Sequence, residues 1–245
     1  MRAVACTLLA AVLAATAAYS ATPAAGPLPP APTAPMSARA EVQDALDRVL
    51  ALVAEYRPGT PVDPALDARV RSAVDALERA AGAPPDVAAN PASVDGVWLC
   101  VYDTRDLLHV AGMRIMSGGR YPDAKIPART TIQELRPAQG WYRNTVVLAA
   151  GPQQIPVNYE ATAKLSLDPA APNVFRVQFE RLAFVPADAR HDAAAVRAAL
   201  GLPADAPLVI DVPPGPASPS TVVYVDDAVR INRGKAYVSV LKRLR

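Results

Sequence analysis

Side chains that most often bind transition metals or act as catalytic nucleophiles and bases are scarce: the 245-residue sequence has two cysteines and two histidines. Cys6 falls in an N-terminal apolar run, so a processed chain keeps only Cys100 and has no internal disulfide. Leu99 and Val101 flank that thiol, which favours a buried structural cysteine over a reactive one. Neither His109 nor His191 heads a ligand-spaced pair, there is no Gly-x-Ser-x-Gly elbow, and no helix pattern follows the Ser117-Gly118-Gly119 turn to cradle phosphate. The expectation is therefore no catalytic residue, no metal and no cofactor, with a cryptic lipid-modifying enzyme as the less favoured alternative. Charge of one sign is also lacking: 25 basic against 23 acidic residues give +2, too weak a field to gather nucleic acid. Aromatic residues make up only 5%, so any interior must rely mostly on Val, Leu and Ala.

Hydrophobic residues nonetheless reach 51% with 20% charged, enough for one domain with a substantial core. Met1 and Arg2 precede an Ala/Leu/Val run to about Ala18, the layout of a cleavable signal peptide over residues 1–21. The run is too short and alanine-rich for a permanent span, which needs ~20 strongly apolar residues. Residues 22–36 are rich in Pro and Ala and contain no acid. Two readings stand level: a transit segment such as plastids of secondary origin use behind a signal peptide, or an extended linker holding a periplasmic domain off a membrane.

A helical hairpin is predicted over 37–82. Ser37 is a candidate cap for a helix with Val42, Leu46, Val49, Val53 and Tyr56 on one face, while Asp63-Pro64 opens a second that presents Leu66, Val70, Val74 and Leu77 and stops at Gly82. The first helix has a mostly acidic polar face, which favours packing on protein over settling on anionic lipid. From residue 94 to 245 the period changes to two. Val157, Tyr159, Ala161, Ala163, Leu165 and Leu167 alternate with polar residues, and Phe175, Val177 and Phe179 do the same. The strand Val97–Tyr102 is apolar on both faces, with Trp98, Cys100 and Tyr102 expected on one side. A curved antiparallel sheet filling its interior with one set, and the helical hairpin covering the other, satisfies both faces. The fold class is mainly β (α+β), with an insertion at 186–219 that carries a short helix near Asp192–Leu200. A last hairpin is expected to turn at Asn232, Arg233 and Gly234, with Lys235, Lys242 and Arg243 guarding an exposed edge.

Three stretches occur in a telling order: DALERAAGAPP from Asp75, DGVWLCVYDT from Asp95, and TVVYVDDAVRINRGKAYVSVLKR from Thr221. Together they resemble the plastid lipid-associated protein family, the fibrillins. Gly96, Trp98 and Tyr102 occupy the places of its opening strand, and Tyr224, Asp226, Asp227, Arg230, Ile231, Arg233 and Gly234 those of its closing motif. In the middle strands only Gln133 of TTIQEL clearly corresponds. The resemblance implies a lipocalin-like β-barrel that carries quinones, carotenoids or tocopherols, or coats lipid particles at thylakoids. It thus implies a lipophilic partner and a plastid location (chloroplast, plastoglobule or thylakoid), with the bacterial periplasm as the alternative.

From the residues themselves, Trp98, Tyr102, Phe175, Phe179 and Tyr224 are the candidate lining of an apolar cavity, a reading favoured over plain core filling. Gly96, Asp226, Asp227, Arg230, Arg233 and Gly234 are expected to be structural. Adjacent Asp226 and Asp227 point to opposite faces of a strand, so one is expected to pair with Arg230 or Arg233. A second expectation has Arg230 stacking on Trp98 and closing one end of the barrel.

Overall fold

The computed structural model describes residues 36–244 apart from 106, 107, 109, 118, 122, 123, 169 and 235. The expected leader, nearly all of the Pro/Ala segment, His109 and Lys235 lie outside the described residues.

Helix α1 (Met36–Glu55) begins before Ser37, which therefore sits inside the first turn. Leu46, Val49 and Val53 form its buried stripe, and Tyr56 continues it just past the helix end. Helix α2 (Pro64–Ala81) starts where its chemistry dictates: the Asp63 carboxylate accepts the Ala65 N–H at 2.9 Å, and proline occupies the first turn. Its four periodic residues, Leu66, Val70, Val74 and Leu77, are all buried. Each such side chain contributes about 1.5–3 kcal/mol on leaving water. No helix among the described residues is long and apolar enough to cross a membrane.

Ten strands follow among the described residues: β1 (Gly96–Asp103), β2 (Val110–Gly112), β3 (Lys125–Arg136), β4 (Trp141–Ala150), β5 (Ile155–Leu167), β6 (Val174–Pro186), β7 (Val209–Asp211), β8 (Ser218–Val225), β9 (Val229–Arg233) and β10 (Val238–Arg243). All pairings are antiparallel. Strand β1 bonds to β10 on one side and β3 on the other, so eight strands close on themselves in the order β1-β10-β9-β8-β6-β5-β4-β3. Closure removes the open edges of these eight strands. The two remaining strands, β2 and β7, extend the sheet beside β3 and β6.

The 186–219 segment departs from a plain excursion. Its helix α4 (Ala193–Ala199, after the four-residue α3 at Met113–Met116) is capped by Asp192, and β7 returns from it to pair with β6. The last hairpin also differs from expectation. Asn232 and Arg233 lie within β9, and the chain turns only afterwards, where the Gly234 N–H donates to the Tyr237 carbonyl at 3.0 Å. Strand β10 is paired on both sides, so Lys242 and Arg243 have no edge to guard.

Bulges decide which side chains face inward. Strand β1 carries an irregularity between Cys100 and Tyr102, and β8 one between Val222 and Tyr224. Each extra residue flips the alternation, as the period of two requires. Tyr102 therefore leaves the side of Trp98 and Cys100. It falls opposite Val240, which in turn opposes Ile231, on the outer face beneath the helical hairpin.

Candidate functional site

Rows of paired residues run around the barrel wall and define its interior. One row passes from Trp98 to Gln133, Asn144, Ala161 and Leu182; the next from Cys100 to Thr131, Val146, Tyr159 and Phe184. On the other side Cys100 opposes Leu241, and Leu241 opposes Arg230. The inward set is apolar in two clusters, one including Trp98, Leu135, Tyr142 and Phe175, the other Leu148, Val157, Tyr159 and Phe184; Phe179 packs against both.

Arg230 brings a charge into this setting. It is fully buried, and its Nη2 donates to the Gln133 Oε1 at 2.5 Å. Its guanidinium carbon lies 4.8 Å from the Trp98 ring centroid and 5.8 Å from that of Phe175, distances suited to cation–π attraction. Nε and Nη1 have no partner among the described residues. Burial lowers its pKa to about 10, which still leaves it charged at neutral pH. A second guanidinium, that of Arg243, lies 4.1 Å from the same indole centroid. Arg243 donates to the carbonyls of Ser93, at 2.8 Å, and Asp95, while the indole N–H donates to the Val94 carbonyl at 3.0 Å. Gly96 makes this cluster possible: its φ is +129°, and an added Cβ would stand 2.7 Å from Arg243 Nη1.

Outside the barrel, where α1 leans on the wall, lies a groove of about 280 Å³. Leu50 and Val53 of α1, Tyr56 beyond it, Leu99 of β1 and Leu108 give it apolar walls, and Arg129 and Lys242 supply its charge. Lys242 points outward because its neighbour Leu241 points in. It therefore lines the groove and borders no open edge.

The pairing of a Trp98-centred opening strand with Arg230 on the closing hairpin agrees with the comparison of the whole chain, since the PAP_fibrillin family model matches residues 44–242. The chain belongs to the PAP_fibrillin family. Searches of curated proteins and of solved structures give no match. Membership and the barrel are consistent with a lipid-associated, non-catalytic role.

The motif residues of this PAP_fibrillin chain take distinct positions. Trp98, Phe175 and Phe179 face the interior together. Tyr102 and Tyr224 do not join them, because the two bulges turn them outward. Tyr102 donates to Asp67 of α2 at 3.1 Å and meets Tyr56 edge-on at 5.6 Å. Tyr224 donates to Asp226 at 2.8 Å. Asp226 also accepts the N–H groups of Ala228 and Val229, so it fixes the β8–β9 turn. No ion pair joins either aspartate to Arg230 or Arg233. Arg233 instead reaches α2, with Asp75 at 2.5 Å and Glu78 at 3.3 Å, and so links the family's first motif to its last. The stacking of Arg230 on Trp98 is present as expected. Cys100 is buried, and burial pushes its thiol pKa well up.

Sequence reasoning missed Leu50, Leu99, Leu108 and Arg129 as site residues. Leu99 was the nearest to legible, since a strand apolar on both faces announces a covered outer face; nothing in the local pattern marks Arg129.

Proposed function

We propose that this protein binds and carries a lipophilic small molecule of quinone, carotenoid or tocopherol type, without catalysis, at thylakoid membranes or plastid lipid particles. The observation that carries this reading is the apolar groove between α1 and the barrel wall. Its side chains are those that exclude water from a hydrocarbon surface, and burial there gains about 25 cal/mol per Å². The groove supports the reading better than the barrel centre does. Trp98, Phe175, Phe184 and Arg230 are already buried within the barrel, so the aromatics expected to line a pocket act largely as its filling. Family membership supports the lipid class and the plastid setting.

The test is organic extraction of the purified protein, with a Leu50→Trp variant beside it to fill the groove. One lipid class at near-equimolar yield, lost in the variant, supports carriage. A bare protein that still adheres to lipid droplets favours a coat. Turnover of an added lipid would contradict the non-catalytic reading.

A further inference from the structure

We propose that the groove under α1 takes a single-chain lipid with an anionic headgroup, its chain along Leu50, Val53 and Leu99 and its carboxylate at Lys242 and Arg129. This rests on the reading of the groove as a lipid site and goes beyond it, since quinones, carotenoids and tocopherols carry no carboxylate. Charge comes first. Among the described residues twelve line the groove, two of them cationic and none acidic. Lys242 forms no ion pair among the described residues, and the Arg129 guanidinium is held only by a neutral amide, donating to the Gln154 Oε1 at 2.6 Å. Both charges therefore stand uncompensated beside an apolar channel, the complement of a carboxylate on a hydrocarbon chain.

Placement comes second. An exposed lysine on a β-strand commonly protects an edge from pairing, but β10 is hydrogen-bonded to β1 and β9, so that role is void. Lys242 instead is exposed and lines the groove, which puts a positive charge beside its apolar walls. Thr130 adds a hydroxyl to the lining. Size comes third. At about 280 Å³ the groove lies just below the range of ~300–1,000 Å³ usual for drug-sized ligands, which favours one chain over a two-chain lipid.

The experiment titrates the delipidated full chain with oleate and, separately, with methyl oleate, which has the same chain without the charge. The expected result is oleate bound at least tenfold more tightly than the ester, with the preference shrinking as salt rises. Lys242→Glu, at an exposed position and checked by an unchanged melting temperature, removes most of that preference. Leu50→Trp weakens both ligands. Equal binding of oleate and ester, or a preference that survives Lys242→Glu combined with Arg129→Gln, overturns the anionic headgroup and leaves the lipid reading standing. Failure of both ligands to bind overturns the single-chain lipid, while the carriage of a neutral lipid is judged by the extraction.

Discussion

Arg230 of β9 donates across the barrel interior to Gln133 of β3, at 2.5 Å. The two strands are not neighbours in the ring, being separated by β1 and β10, so this bond ties the wall together through its centre. It sets a cation among apolar side chains with only a neutral acceptor.

Replacing Arg230 tests that arrangement. Arg230→Ala leaves a cavity beside Trp98 and strands Gln133, and is expected to cost about 2–4 kcal/mol by denaturant unfolding. Gln133→Glu, which gives the cation a carboxylate at the same place, is expected to raise the melting temperature at pH 7. Burial holds the Arg230 pKa near 10, below the ordinary guanidinium value, so the unfolded chain binds this proton more tightly. The cost of burying the charge is therefore full below about pH 10 and fades as pH rises from there toward the ordinary guanidinium value. Stability of the wild type relative to Arg230→Met should increase across that window.

Gly96→Ala is expected to destabilise by about 1–3 kcal/mol, because the residue must hold φ +129° and its new methyl meets Arg243 Nη1. A change in Trp98 near-ultraviolet circular dichroism should accompany the loss, since Arg243 stacks on that indole.

The helical hairpin is held by its apolar stripe more than by its ion pairs. Leu77 is fully buried on α2, and Leu77→Ala is expected to cost about 2–5 kcal/mol. Arg233→Ala removes a half-exposed pair to Asp75 and Glu78 and should cost no more than about 1 kcal/mol. Amide exchange on α2 would report both.

Cys100 should resist alkylation at pH 8 in a Cys6→Ser background and react fully once the chain is denatured, since burial raises its pKa and leaves the thiolate scarce. Rapid labelling of the folded chain would contradict the buried setting.

Much of this architecture was legible beforehand. Leu66, Val70, Val74 and Leu77 recur at the helical period, and Asp63-Pro64 and Gly82 bound their helix, so α2 could be read almost to the residue. The strand Val157–Leu167 announced its buried face by strict alternation. The stacking of Arg230 on Trp98, 132 positions away, was one of two expectations drawn from residue chemistry, since a buried guanidinium finds a favourable face on an indole. Tyr102 and Tyr224 were misassigned for a single reason. A bulge is a hydrogen-bonding event between two strands, and neither sequence segment marks it alone.

The sequence by itself determined the helical hairpin and the antiparallel strands, since local periodicity and capping chemistry act within a few residues, and its three motifs carried the family resemblance with the barrel that it implies. Tertiary structure alone decided that β10 has no free edge, that Arg233 reaches α2 and that Lys242 borders a groove built from α1, β1 and β3. These are consequences of ring closure and strand register, which depend on contacts between segments far apart in the chain.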